Sequence, residues 1–380
     1  MPLQVRKRNP IFKALNGTAI DLPVARNISI LWNFGFLLAV SLSIQILTGI
    51  ILSTHYTATI EAALRSVNAH IGRDVNEGWL LRSCHANTAG AFLICIYLHV
   101  ARGLYLGSYN NFKAWAVGVA MLLLSMATAF LGYVLVWGNM RYWAATVITN
   151  LLTALSYLGQ TLAEWVWGDY GVGRATLSRL FSFHYLCPFI LLGITVVHLI
   201  LIHQKGSSNP TGLNRLSLKV PLHQYFTVKD GVALLALILF IGTLAFLFPT
   251  SIGDCENYNY ADPLVTPAHI KPELYFLWAY AILRSVPNKL GGVVLILTAV
   301  LLLLAPSFLN TYKPGCRLHP IRQILLWIFV VNFILLSYIG ACPVEPPYEG
   351  LGQVFSLVYF AYFILDPIAK TFIHKRTIEI

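Results

Sequence analysis

Eight long stretches without a charged residue constrain this chain more than any other feature of its sequence. A helix needs about 20 apolar residues to cross the hydrocarbon of a bilayer. Charged residues make up only 11% of the chain, against about 25% in a typical soluble domain. We therefore expect an all-α integral membrane protein with eight transmembrane helices, bounded by Arg26 and Glu61, Arg82 and Arg102, Lys113 and Arg141, Arg179 and Lys205, Asp230 and Asp254, Lys289 and Lys313, Arg322 and Glu345, and Glu349 and Asp366.

A ninth apolar stretch, residues 142–163, carries polar residues such as Thr146, Asn150 and Gln160. That composition favours surface helices lying on the membrane between the third and fourth spans. With eight spans, most Lys and Arg fall on the side of both termini, as the positive-inside rule requires, whereas a ninth span would remove this bias. The basic residues are scattered at span ends and form no stripe, so no nucleic acid partner is expected.

Four of the eleven histidines lie inside the apolar spans. His85 and His99 are in the second span, and His184 and His198 are in the fourth. Each pair is 14 residues apart, which is two heptads, so both members stay on one helix face, about 21 Å apart along the axis. The second and fourth spans run in the same direction. We therefore expect His85 level with His184 near the outer face, and His99 level with His198 nearer the inner face.

This placement predicts two stacked bis-histidine sites. Imidazole is an axial ligand of haem iron, and a site with two axial imidazoles transfers electrons because no position is open for oxygen. Arg82 and Arg102 lie three residues from His85 and His99, where they can pair with haem propionates or simply mark the span ends. The alternative for the histidines is hydrogen bonding between helices, which does not require two matched pairs at the same depths.

Four glycines repeat the spacing of the histidines. Gly35 and Gly49 lie in the first span and Gly118 and Gly132 in the third, each pair again 14 residues apart. A missing Cβ lets the edge of a macrocycle approach the backbone. The alternative is ordinary packing of small residues between membrane helices, which does not explain the shared spacing.

These features resemble cytochrome b, the membrane subunit of respiratory complex III (ubiquinol–cytochrome c oxidoreductase), over essentially the whole chain. The resemblance implies two haem b groups, a low-potential one held by His85 and His184 and a high-potential one held by His99 and His198. It also implies an N-terminal half, 1–215, that carries the haems and a C-terminal half, 216–380, that completes an outer quinol site. The segments that carry the resemblance, beside the histidines and glycines, are Gly132-Tyr-Val-Leu, Thr146-Val-Ile-Thr-Asn150, Ser207-Ser-Asn-Pro-Thr-Gly212 and Thr266-Pro-Ala-His-Ile-Lys-Pro-Glu273.

The outer quinol-oxidising site implied by the resemblance centres on the segment Pro272-Glu-Leu-Tyr275. A carboxylate at the outer membrane edge, here Glu273, can accept a proton from quinol and pass it to water. Without the resemblance, Glu273 would be interpreted as a charge at a loop end or a helix N-cap. Tyr133 and Tyr275 join Glu273 as the expected catalytic residues. The expected apolar and aromatic wall consists of Phe130, Ala144, Ile148, Phe276 and Tyr280.

The inner quinone-reducing site implied by the resemblance comprises His203, Ser207 and Asp230, with Lys229 adjacent. A histidine and a carboxylate at the positive membrane edge can deliver protons to a reduced quinone. Without the resemblance, these residues are charges at the membrane interface.

The chain departs from the family pattern at three positions of the outer site. Leu274 replaces a tryptophan, which we expect to change a wall of the pocket. Val136 occupies a position where the family usually has a proline, and Ala144 one where it usually has a glycine. The methyl group that Ala144 adds should crowd bulky ligands. We therefore expect weak inhibition by methoxyacrylate-type compounds.

The resemblance implies a mechanism, partners and location. Quinol gives one electron to a separate Rieske iron–sulfur protein and the other, through the outer and inner haems, to ubiquinone at the inner site, coupled to proton translocation. Further expected partners are cytochrome c1, other complex III subunits, membrane lipid and a second copy in a dimeric complex. The compact loops favour the mitochondrial inner membrane, with both termini on the matrix side.

Two other functions fit part of the sequence. A transporter with histidines as a proton relay would bind no haem and would not need the matched spacing. The plastoquinol–plastocyanin counterpart has a split chain and a second histidine pair that is one residue wider. None of the six cysteines forms a CxxC or CxxCH motif, so we expect free thiols and non-covalent haem.

Overall fold

The computed structural model describes residues 8–210, 219–249, 253–309 and 315–378. Within these ranges, eight helices are long and apolar enough to cross a membrane, which confirms the predicted number of spans and the all-α membrane fold. The spanning helices are α1 Phe34–Ser53, α2 Gly78–Leu106, α3 Phe112–Val134, α4 Arg174–Lys205, α5 Leu222–Leu247, α6 Lys289–Leu301, α7 Pro320–Ala341 and α8 Tyr348–Ile378. The sixth span, Lys289–Phe308, consists of α6 and the two short helical segments that continue it.

Shorter elements lie in the connections. The ninth apolar stretch forms two short helices, Asn139–Asn150 and Gly159–Trp167, separated by a 3-10 turn at Leu151–Ala154. Neither is long enough to span a bilayer, as predicted. The other short elements are the helices Pro10–Ala19, Ala63–Arg65, Leu277–Arg284 and Ala305–Phe308, a π-helix Ser66–Asp74, and 3-10 turns at Ile30–Trp32, Ser108–Asn110, Cys255–Tyr258, Leu274–Phe276, Leu302–Leu304 and Cys316–Leu318.

In the first half of the chain, α1 packs along α2 and α3 packs along α4. These are the two most extensive helix pairs in the described part of the chain. The two histidine-bearing helices, α2 and α4, are therefore each lined by a glycine-bearing partner. This arrangement directs the histidines of α2 and α4 into a common interior.

An aromatic core holds the second half together. Trp278 stacks on Tyr359 with ring centroids 5.9 Å apart, and both are buried. A Cβ on Gly340 of α7 would overlap the backbone of Leu277, so this glycine lets the helix Leu277–Arg284 lie directly on α7. The core thereby fixes the chain that follows residue 273.

Hydrogen bonds from α2 tie that same segment to the first half. The Tyr97 hydroxyl of α2 donates to the Tyr275 carbonyl at 2.8 Å. The indole N–H of Trp278 in turn donates to the Tyr97 hydroxyl at 3.1 Å. Both contacts hold residues 273–278 against the bundle.

A buried ion pair lies at the other end of α7 and α8. Arg322 is fully buried; its Nε and Nη2 donate to the two carboxylate oxygens of Asp366 at 2.7 and 2.9 Å. Arg322 Nη2 also lies 3.1 Å from the hydroxyl of Tyr109 in the turn between α2 and α3. Because a buried charge is stable only when paired, this network fastens the α2–α3 turn to the second half.

A short ladder joins the N-terminal segment to the start of α5. Strand β1, Pro23–Ala25, pairs antiparallel with β2, Lys219–Pro221. The expected division between residues 215 and 216 lies outside the described residues. All six cysteines are free thiols.

Candidate functional site

The outer histidine pair forms the centre of the site. The ring centroids of His85 and His184 are 6.3 Å apart and the rings are nearly perpendicular. A metal held between two imidazoles by bonds of about 2 Å on each side separates the ring centroids by about 6 Å. The spacing therefore fits a single metal ion ligated by both rings.

Hydrogen bonds orient both outer imidazoles. His184 Nδ1 lies 2.9 Å from the Thr128 carbonyl, which can only accept, so Nδ1 carries the proton. His85 Nδ1 lies 2.8 Å from the Thr48 hydroxyl, whose own hydrogen is donated to the Ile44 carbonyl at 2.6 Å. In both rings this leaves the Nε2 lone pair free, which is the tautomer that a metal ligand requires.

Each of the four glycines faces one of the four histidines. A Cβ on Gly49 would lie 3.1 Å from His85 Cε1, and one on Gly132 would lie 2.9 Å from both ring nitrogens of His184. The inner pair repeats the pattern, since a Cβ on Gly35 would lie 3.8 Å from His99 Cε1 and one on Gly118 would lie 3.5 Å from His198 Cε1. The equal spacing of glycines and histidines in the sequence thus corresponds to direct contact in the fold.

Arg102 lies beside the inner pair. Its Nη2 is 3.2 Å from His99 Nδ1, its guanidinium lies 5.4 Å from the centroid of the Trp32 ring, and its buried Nε has no hydrogen-bond partner among the described residues. A buried N–H without a partner is costly, and a carboxylate would satisfy it. If His99 held a metal through Nε2, its Nδ1 would carry the proton, and Arg102 would then be available to pair with such an anion. The residues therefore fit a group with an apolar ring and acidic side chains.

A cavity of about 520 Å³ connects the outer histidines to the outer edge of the bundle. The three expected catalytic residues, Tyr133, Glu273 and Tyr275, line this cavity together with Arg82. The five expected wall residues, Phe130, Ala144, Ile148, Phe276 and Tyr280, are not among its lining.

Burial perturbs the acidic groups of this cavity. Burial raises the pKa of the Glu273 carboxyl above its usual value, an effect that the charge of Arg141 opposes and that of Asp254 reinforces. Burial also raises the pKa of the Tyr275 phenol well above its usual range, with the charge of Glu273 adding to the shift. A buried carboxyl with a raised pKa is a stronger proton acceptor than an exposed one.

Sequence reasoning did not identify three polar residues that line the cavity, namely Arg141, Asp254 and Asn257. Arg141 lies over the ring of Tyr133, 4.9 Å from its centroid. The Asn257 side chain accepts a hydrogen bond from the Arg141 backbone at 3.1 Å. The signal available in the sequence was a cation directly after the third span on the side where acidic residues dominate.

The three departures from the family pattern occupy different environments. Val136 lines the cavity and Ala144 is buried in the helix Asn139–Asn150. Leu274 is 53% exposed and is not part of the lining. The expectation that Leu274 changes a wall of the outer quinol site stays a prediction, like that for the five wall residues, which do not line this cavity either.

The expected inner quinone residues are not joined by direct contacts. His203 and Ser207 are exposed near the end of α4. Asp230 accepts a hydrogen bond from the Asn33 side chain at 2.8 Å, and Lys229 donates to the Ile28 carbonyl at 3.1 Å. Asn33 is a further polar residue of this region that sequence reasoning missed.

Comparison with known proteins agrees with this geometry. Residues 19–206 match the family model described as cytochrome b/b6/petB, and residues 260–360 match that of the cytochrome b C-terminal region, b6/petD. A solved chain from a "Hyperthermophilic respiratory Complex III" is 31% identical, with a TM-score of 0.91 over 97% of this chain and 98% of the other. The chain is a multi-pass membrane protein that belongs to the cytochrome b family.

Proposed function

We propose that this chain is the haem b subunit of ubiquinol–cytochrome c oxidoreductase, oxidising quinol at the outer side and reducing quinone at the inner side, coupled to proton translocation. The observation that carries the proposal is the double set of histidines, each faced by a glycine on the neighbouring helix. The rival function, a transporter in which histidines relay protons, requires neither a second pair of histidines at another depth nor a glycine opposite each histidine.

The histidines would hold two haem b groups. His85 and His184 would ligate the outer, low-potential haem, and His99 and His198 the inner, high-potential one. Arg82 and Arg102 would bind propionates as charge-assisted hydrogen-bond donors. When bound, the two haems supply one-electron transfer between the outer and the inner quinone site.

Ubiquinol would bind in the part of the outer cavity that Glu273 lines, beside the space between His85 and His184 that a haem would fill, with Glu273 as the proton acceptor. Its raised pKa makes the carboxylate a stronger base than an exposed glutamate, and its place in the cavity lets it receive a proton directly from a quinol hydroxyl. Tyr133 and Tyr275, which line the same cavity, would orient the quinol ring. Phe130, Ala144, Ile148, Phe276 and Tyr280 would form an adjoining wall at the mouth of the quinol site.

The inner site would comprise His203, Ser207, Lys229 and Asp230. These residues lie near the ends of α4 and α5 on the side that carries most of the basic residues. The two titratable groups, an imidazole and a carboxylate, would carry protons from the aqueous phase to the reduced quinone.

The remaining parts of the proposal concern the complex. The partners would be the Rieske iron–sulfur protein, cytochrome c1 and other complex III subunits in a dimer, and the location would be the mitochondrial inner membrane with both termini in the matrix. Residues 1–215 would carry the haems and residues 216–380 would complete the outer site.

The test is quinol-dependent reduction of cytochrome c by the purified complex, combined with Glu273→Gln. We expect the variant to lose at least about tenfold in rate, since positioned proton acceptors contribute about 10²–10⁴-fold, while two b haems remain bound in the redox-titrated spectrum. Glu349→Gln, an exposed change on the same side, is the matched control. Unchanged turnover of Glu273→Gln, or fewer than two haems in the unmodified chain, would contradict the proposal.

A further inference from the structure

Three residues of α1 contact the same histidine of α2, His85. They are Gln45, Thr48 and Gly49, which lie within five positions of the sequence. The Gln45 side-chain amide donates to the His85 carbonyl at 2.6 Å, and the Thr48 hydroxyl lies 2.8 Å from Nδ1 of the ring. Gly49 leaves room for ring atom Cε1, which would lie 3.1 Å from an added Cβ. One neighbouring helix therefore fixes the backbone, a ring nitrogen and the ring edge of this histidine.

The hydroxyl hydrogen of Thr48 is used within α1. It is donated to the Ile44 carbonyl at 2.6 Å, and a second carbonyl, that of Gln45, lies 3.3 Å away. Carbonyl oxygens only accept hydrogen bonds, so the Thr48 oxygen meets His85 with a lone pair. Nδ1 of His85 must then donate, which places the ring proton there and leaves the Nε2 lone pair for a metal.

The inner histidine of the same helix has a different neighbour at Nδ1. Nδ1 of His99 lies 3.2 Å from Nη2 of Arg102. A guanidinium has five donors and no acceptor, so it cannot accept a hydrogen bond from this ring. Thr48 therefore gives the outer histidine an acceptor that His99 lacks among the described residues.

We propose that Thr48 is a positioning residue for His85 and that its acceptor oxygen lowers the reduction potential of the outer haem. The inference rests on the proposed function for the haem itself. A hydrogen bond donated by Nδ1 makes the ligating Nε2 more basic. A more basic ligand stabilises ferric iron more than ferrous iron, because ferric iron carries one more positive charge. Such hydrogen bonding is one of the means by which a protein sets a haem potential.

The step concerned is the uptake of one electron by ferric iron, which becomes ferrous. Under the proposed function the electron comes from quinol, and Nδ1 of His85 keeps its proton in both oxidation states. Thr48 thus acts on the equilibrium of electron transfer and takes no part in proton transfer.

Thr48→Val removes the acceptor and keeps a side chain of similar shape. The midpoint potential of the outer haem should rise while that of the inner haem stays unchanged, so the gap between the two narrows. We expect a threefold to tenfold change in the reduction equilibrium, about the effect of one neutral hydrogen bond, which corresponds to about 30–60 mV for one electron. Thr48→Ser retains the acceptor and should return the midpoint to the unmodified value.

The experiment is a redox titration of the intact purified complex with external mediators, followed optically so that the two b haems are resolved and counted. Thr48→Val, Thr48→Ala and Thr48→Ser are compared with the unmodified chain. Thr128→Val is the matched control, because it removes a hydroxyl that donates to the Leu124 carbonyl at 2.7 Å but keeps the backbone carbonyl used by His184. It therefore separates loss of an acceptor from loss of polarity beside the same histidine pair.

A higher outer midpoint in Thr48→Val or Thr48→Ala, with recovery in Thr48→Ser and no change in Thr128→Val, supports the inference. Loss of the outer haem from the valine and alanine variants alone also supports the positioning role. An unchanged midpoint with haem bound, an equal rise in Thr128→Val, or equal haem loss in Thr48→Ser overturns the inference. Because the titration does not depend on turnover, a complex whose haems titrate as expected but that fails to oxidise quinol refutes the proposed activity and leaves the role of Thr48 standing.

Discussion

Replacement of Gly132 by alanine should release the outer haem selectively. The new Cβ would lie closest to Cε1 of His184 and 2.9 Å from both ring nitrogens, whereas non-bonded atoms prefer about 3.5–4.0 Å. The imidazole must therefore retreat by at least about 1 Å. That movement stretches the 2.9 Å bond from His184 Nδ1 to the Thr128 carbonyl beyond the normal limit of about 3.2 Å.

The cost follows from these two effects. Overpacking of a filled interior costs about 1–3 kcal/mol, and loss of the hydrogen bond adds about 1 kcal/mol. A total of about 2–4 kcal/mol corresponds to a loss of about 30-fold to several hundred-fold in haem affinity. The displaced ring also no longer faces His85 at the observed spacing, which weakens ligation further.

The other glycines provide a graded series for the same measurement. Gly49→Ala would place its Cβ 3.1 Å from His85, Gly118→Ala 3.5 Å from His198 and Gly35→Ala 3.8 Å from His99. Gly193 on α4 has nothing within 4 Å of a Cβ, so Gly193→Ala is the control and should retain both haems. Haem loss should decrease from Gly132 through Gly49 and Gly118 to Gly35.

The assay is the haem content per chain of the purified complex, with reduced-minus-oxidised spectra to distinguish the two b haems. Retention of both haems with unchanged midpoint potentials in Gly132→Ala would refute the argument that this glycine makes room for the ligated His184. Equal haem loss in Gly193→Ala would show that any added methyl destabilises the bundle, which would also refute it.

Three further outcomes can be tested. His85→Leu should remove only the outer haem and His198→Leu only the inner one, and spectra in which either change abolishes both would contradict separate sites. Quinol oxidation should fall as pH drops through the raised pKa of Glu273, because the protonated carboxyl cannot accept a proton; a rate that is constant down to the usual value of 4.5 would contradict this. Arg322→Leu or Asp366→Asn should each destabilise the fold by about 3–5 kcal/mol, because each leaves an uncompensated buried charge, and equal thermal unfolding in detergent would argue against it.

The spans and the histidine pairs could be predicted because both are periodic. Hydrocarbon thickness sets the length of each apolar stretch, and the two-heptad spacing of His85 and His99 fixes their shared helix face whatever their neighbours are. The sequence also indicated that the glycines serve the same site. Their one-to-one contact with the histidines required the packing of α1 on α2 and of α3 on α4, which the sequence does not specify.

The polar residues that the connections between spans add to the outer cavity were less predictable than its helical walls. Arg141 comes from the short helix Asn139–Asn150 and Asn257 from the turn Cys255–Tyr258, and only the folded chain brings them together. Leu274 stands between Glu273 and Tyr275 in the sequence, yet it is 53% exposed and does not line the cavity, whereas both neighbours do. Adjacency along the chain is therefore a weak guide to which side chains line the same cavity.

The small ladder between β1 and β2 has a consequence for the order in which the chain assembles. It pairs Val24 with Val220, so the loop that it closes contains all of α1 to α4. Closing a long loop is costly in entropy, and proteins fold from the N-terminus as they are synthesised. The ladder can therefore form only after α4 has emerged and the first four helices have drawn the two strands together. The ladder therefore forms late in assembly, and its formation marks completion of the four-helix unit that carries both histidine pairs.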